Sequence, residues 1–119
     1  MEHIDSLVEA LANTRNMAMQ TETALECTDP SDIESHIQNA VRFGELARGL
    51  IEEMLDTAQD ARIMLSAERA LVGLEDALDE ANQALFASES AMQEHVEAMA
   101  VHLDNTQSQI SAAAGLQPA

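Results

Sequence analysis

From Ala70 onward, alanine recurs at every seventh position and a large apolar residue follows it each time: Ala70-Leu71, Ala77-Leu78, Ala84-Leu85, Ala91-Met92 and Ala98-Met99. Leu74 and Ala81 occupy the intervening seam positions. A seven-residue apolar repeat held this long belongs to helix that is packed along its length against other helices. β-Branched and aromatic residues are too thinly spread to offer a competing strand pattern, with no Trp or Tyr and two Phe, Phe43 and Phe86. The expected class is therefore all-α, with a core built from Leu, Ile, Val, Met and Ala.

A second repeat precedes the first. Ile33, Ile37, Ala40, Gly44, Ala47, Ile51, Met54, Ala58, Ala61 and Leu65 alternate between spacings of four and three. Val41, Phe43, Leu50 and Leu55 widen this stripe, as suits a helix covered from two sides in a bundle. Extending its phase by sevens from Leu65 reaches Val72 and not Leu71, so the two repeats belong to different helices. The break is expected between Thr57 and Ala67, with Asp60 and Ser66 as available caps. Upstream, Thr28-Asp29-Pro30-Ser31-Asp32-Ile33-Glu34 marks a turn: proline suits the first turn of a helix, and Asp29 or Ser31 can cap its free amides. The first helix is then expected to end near Cys27. Its stripe is Ile4, Leu7, Val8, Leu11, Ala18 and Leu25, interrupted by Thr14, Arg15, Thr21 and Glu22, with Met17 and Met19 off its centre.

The third helix, from about Ser66 to Ser111, would reach ~70 Å, far beyond its partners. Continuous alanine phase across Ser88 favours one helix, whereas ordinary helix lengths favour a turn at Ser88-Glu89-Ser90. The expected fold is an antiparallel bundle of three long helices, with a four-helix bundle carrying an extra turn near Ser88–Ser90 as the alternative. Residues 1–113 would form the single domain, and Ala114-Gly115 would stop the last helix ahead of a short flexible tail over 114–119.

The charge balance limits what such a bundle can bind. Twenty-two Asp and Glu oppose five arginines, with no lysine, for a formal net charge of -17. A phosphate backbone would meet like charge and release no counterions, which argues against direct nucleic-acid binding. The acidic clusters Glu52, Glu53, Asp56 and Asp60, then Glu75, Asp76, Asp79 and Glu80, are expected on outer helix faces. They would be an ordinary solvated surface, an adaptation to high salt, or a surface for a basic protein. A mimic of DNA that occupies a basic groove is an alternative on the same residues. The seam Leu71, Leu74, Leu78, Leu85, Met92 and Met99 is the candidate for self-association or for docking a partner helix.

Chemistry finds little local support. Met92, His95, Met99 and His102 share one helical face and offer thioether and imidazole groups suited to copper, although a histidine at the margin of an apolar stripe is usually a core flank. No Glu stands three residues before a His, which removes the carboxylate-bridged metal pattern of helical bundles. Cys27 is the single cysteine; it has no partner for an internal disulfide and is expected to act as a small buried hydrophobe. No glycine loop of the phosphate-binding type occurs, and no small-molecule substrate or cofactor is evident. The expected protein is non-enzymatic. Met1-Glu2-His3-Ile4-Asp5 lacks the basic and apolar regions of a secretory leader, and no apolar run reaches membrane-spanning length, so a cytoplasmic location is expected.

The overall size, the helix-turn-helix beginning and Phe43-Gly44 resemble the helical-hairpin substrates of type VII secretion. That resemblance implies leaderless export and a dimeric hairpin as an alternative to a cytoplasmic module. Phe43-Gly44 lacks the spacer of that family's Trp-x-Gly turn and sits inside a helical repeat. A chain without tyrosine also has no Tyr-x-x-x-Asp/Glu export signal. No residue is assigned a role from this resemblance.

Overall fold

The first two turns of the chain are each set by an aspartate whose side chain caps the helix that follows. A computed structural model describes residues 2–115, with side chains from Ile4 onward, and shows α1 (Glu2–Glu26), α2 (Pro30–Thr57), α3 (Ala61–Phe86) and α4 (Glu89–Ala113). Asp29 caps α2 by accepting from the Ser31 amide at 2.9 Å, while Pro30 begins the helix where a missing N–H costs nothing. Of the two candidate caps, Asp29 and not Ser31 takes the position. Asp60 repeats the device for α3, accepting from the Arg62 amide at 2.9 Å. The break therefore falls inside the expected Thr57–Ala67 interval. At the far end Gly115 adopts φ 75°, a left-handed conformation that stops α4. Ala114 is still buried against the bundle, and residues 116–119 of the expected tail lie outside the described residues.

The expected third helix is two helices. α3 ends at Phe86, Ala87 and Ser88 are extended, and α4 starts at Glu89, so the four-helix alternative describes the fold and three long helices do not. The alanine phase across Ser88 misled because a two-residue turn reverses the chain and chooses the inward face afresh. In α3 the alanines Ala70, Ala77 and Ala84 are buried; in α4 the buried register moves to Met92, Val96, Met99, Leu103, Thr106 and Ile110, leaving Ala91 and Ala98 at its flank.

The helices run alternately up and down, each packed on its chain neighbours, with α1 closing the ring on α4. The bundle measures 45 × 28 × 17 Å, its long axis set by helices of 25 to 28 residues. Among the described residues there is no strand, and no helix is long and apolar enough to cross a membrane.

Small residues bring the backbones close. A Cβ added to Gly44 of α2 would stand 2.8 Å from both Leu78 Cδ2 on α3 and Met17 Sδ on α1. One added to Gly73 of α3 would stand 2.5 Å from Thr106 Oγ1 on α4. The expected α2 stripe is buried from Ile37 to Met54, but Ala61 and Leu65, which continue its spacing, lie beyond the break on α3 and are exposed.

The stripe expected on α1 needs the largest correction. Ile4 and Val8 are 44% and 46% exposed, and the buried line runs instead through Leu7, Ala10, Leu11, Thr14, Met17, Thr21 and Ala24. Thr14 and Thr21 are not interruptions. Each hydroxyl donates to the carbonyl four residues back, Ala10 and Met17, at 2.8 Å, and Thr106 does the same to His102. The hydroxyl is thereby satisfied inside its own helix, and the methyl group packs in the core. Fully burying a Leu, Ile or Met side chain contributes roughly 1.5–3 kcal/mol, so a core containing Leu7, Met17, Ile37, Ile51, Leu74, Met99, Leu103 and Ile110 is the main source of stability.

Candidate interaction surface

The apolar seam is consumed within the chain. Leu74, Leu78, Met92 and Met99 are buried between helices, and Leu71 and Leu85 are half-buried against the same core. A partner helix could reach the buried four only by opening the bundle. The groups left for recognition are those that face outward.

The two acidic clusters do face outward. Glu52, Glu53 and Asp56 are exposed along the end of α2, and Asp60 is exposed while its carboxylate caps α3. Glu75, Asp76 and Asp79 are exposed on α3. Glu80 is half-buried and differs from the rest: its Oε2 accepts from the Nδ1–H of His95 on α4 at 2.6 Å. A matching link joins the first hairpin, where the Nδ1–H of His36 on α2 donates to Oε1 of Gln20 on α1 at 2.7 Å. In each hairpin a histidine near the start of the second helix thus reaches back to the first. Antiparallel packing with Gly44 level with Leu78 sets the two acidic clusters at different heights on neighbouring helices.

Few cations offset this surface. Among the described residues Arg48 is the one arginine paired with carboxylates, touching Glu45 and, at 3.7 Å from its Nε, Glu52. Arg15, Arg42, Arg62 and Arg69 stand on exposed positions without such a pair among the described residues. Most of the net charge of -17 is therefore held by carboxylates that water alone solvates.

The copper candidates are divided by the packing. Met92 and Met99 belong to the core, while His95 and His102 are half-buried at its margin, with His95 engaged by Glu80. Among the described residues no three His, Cys, Asp or Glu side chains converge. Cys27 is half-buried, more open than expected, and lines a cleft of about 750 Å³ at the end of the bundle where the α1–α2 and α3–α4 turns meet. Leu25, Ile33, Ser88, Ser90 and Met92 also line that cleft, and no histidine stands among its lining residues to activate the thiol or a hydroxyl.

One outward feature escaped the pattern reading. Leu65, Val72 and Phe86, spaced by sevens with Asp79 at the skipped position, are 50%, 60% and 91% exposed on α3. The signal was present as a second heptad two residues behind the alanine one, hidden because Leu65 also continues the α2 stripe. No family model, curated protein or solved structure matches this chain.

Proposed function

We propose that this protein is a non-enzymatic, acidic helical module that binds a basic protein partner through its outer faces. The single observation that carries this reading is the surplus of exposed, unpaired carboxylates on α2 and α3 beside one paired arginine. Like charges at that density lower the stability of the isolated bundle, and a cationic partner relieves the repulsion as it binds. Burial of the Leu/Met seam within the chain also supports a role for the outer faces. Attraction of this kind speeds encounter and weakens steeply as salt screens it.

The test is fluorescence anisotropy with an arginine-rich helical peptide and a counterpart in which glutamate replaces each arginine. The basic peptide is expected to bind at 50 mM KCl and to lose most of its affinity by 500 mM, while the acidic one does not bind. Replacing Glu52, Glu53, Asp56, Glu75, Asp76 and Asp79 by their amides should weaken binding. Equal affinity for the two peptides, or affinity indifferent to salt, would refute the proposal.

A further inference from the structure

We infer that the outer face of α3 is a docking site for a basic amphipathic helix that places an arginine or lysine against Asp79; this rests on the reading of the protein as a binder of basic partners. Leu65, Val72, Asp79 and Phe86 each follow a core-facing position, Ile63, Ala70, Ala77 and Ala84, by two residues. Two residues are about 200° of helix, so the row lies opposite the core. A straight helix drifts ~20° per seven residues, which holds the four positions within an arc of ~60° over ~32 Å. That is the geometry of a coiled-coil seam with no partner in this chain.

Burial elsewhere does not account for these side chains. Phe86 is 91% exposed although it is one of only two aromatic residues, and Val72 is 60% exposed in mid-helix. Charge then selects the occupant. Arg62 and Arg69 flank the Leu65 end of the row, whereas between Val72 and Phe86 the helix carries Glu75, Asp76, Asp79 and the histidine-bonded Glu80 and no cation, so the partner's cations belong beside that acidic half. A second copy would bring like charges together in either direction, Asp79 against Asp79 in a parallel pair and Glu75 against Asp76 in an antiparallel one. A helix with apolar residues at matching sevens and cations beside them covers the row and neutralises its flanks. Asp79 sets the register, because burying it against an apolar residue leaves a carboxylate desolvated and unpaired. The exposed apolar residues on α1, Ile4, Val8 and Met19, offer no equivalent, since they are not spaced by sevens.

The experiment uses the full chain and two synthetic peptides of four heptads, alike in apolar and arginine positions except at the residue facing Asp79, which is arginine in one and leucine in the other. The arginine-centred peptide should bind the parent more tightly. Val72→Ser with Phe86→Ser should weaken it about tenfold or more, while Met19→Ser with Val101→Ser, equally exposed apolar sites on α1 and α4, should leave it within about twofold. Asp79→Leu should reverse the preference between the peptides. All five substitutions lie on exposed faces, so unchanged circular dichroism and melting temperature are expected to accompany these changes. Salt-sensitive binding that ignores Val72→Ser with Phe86→Ser overturns the α3 site and leaves the acidic-surface reading standing. Failure of the parent to bind either peptide overturns both. A dimer seen by light scattering and abolished by Val72→Ser with Phe86→Ser overturns the occupant in favour of a second copy.

Discussion

Replacing Gly73 by alanine tests the closer of the two helix contacts that a glycine permits, the other being at Gly44. Glycine inside a helix costs roughly 1 kcal/mol relative to alanine, so on propensity alone the substitution stabilises α3. The structure reverses the sign. The new Cβ would sit 2.5 Å from Thr106 Oγ1, a separation that real Cβ atoms essentially never show, with the His102 carbonyl at 3.6 Å. Thr106 cannot swing aside cheaply: it is β-branched, fully buried, and its hydroxyl is bonded to that carbonyl at 2.8 Å. Relief requires α3 and α4 to separate, and overpacking of this kind costs about 1–3 kcal/mol. The net expectation is a loss of up to about 2 kcal/mol, or up to ~8 °C in melting temperature for a domain of this size. Urea unfolding followed by circular dichroism at constant m-value measures it. Two internal controls sharpen the outcome. Gly49→Ala, where a Cβ meets nothing within 4 Å, should gain about 1 kcal/mol. In a Thr106→Ala background the obstructing oxygen is gone, so Gly73→Ala should become stabilising, a coupling of about 1–3 kcal/mol between the two sites. If Gly73→Ala raises stability as Gly49→Ala does, or if the Thr106→Ala background leaves its effect unchanged, the close packing of α3 on α4 is wrong.

Other consequences are simpler to check. Leu78→Asp with Leu85→Asp places two carboxylates against the core and should abolish the cooperative thermal transition; unchanged helicity and melting would contradict the burial of the seam. Thr14→Val and Thr21→Val should each alter stability by less than about 1 kcal/mol, because the hydroxyl bonds only to a carbonyl within its own helix, whereas Thr21→Asn should cost several-fold more in urea titration. Asp60→Ala removes the cap from α3 and should cost about 1 kcal/mol, read as a lower urea midpoint. Raising KCl from 0.1 to 1 M should increase the melting temperature by screening the exposed carboxylates; a flat or falling trend would show that their repulsion is negligible.

The candidate surface was legible in part. Runs such as Glu52-Glu53 and Glu75-Asp76 announce themselves as solvated, since charged side chains are almost never buried without a partner, and all but Glu80 are exposed. Glu80 was indistinguishable from its neighbours until His95 approached it from another helix. The row from Leu65 to Phe86 was obscured because a period of seven says that a face exists and not which of two overlapping faces turns inward.

By itself the sequence determined the helical class, the turn at Asp29-Pro30 and a break between Thr57 and Ala67, because proline chemistry, capping and periodicity act within a few residues of the chain; the structure chose Asp60 over Ser66 as the cap. It also determined the scale of the acidity. Tertiary structure alone decided that the Ala70 to Met99 repeat folds back at Ser88, that Thr14, Thr21 and Thr106 are core residues, and that the Leu/Met seam closes within the chain. Each of these depends on what the opposing helix presents: a small residue such as Gly73 admits Thr106, and the direction of a two-residue turn assigns the inward face. Local sequence encodes the period of a helix, while the neighbour that arrives fixes its phase.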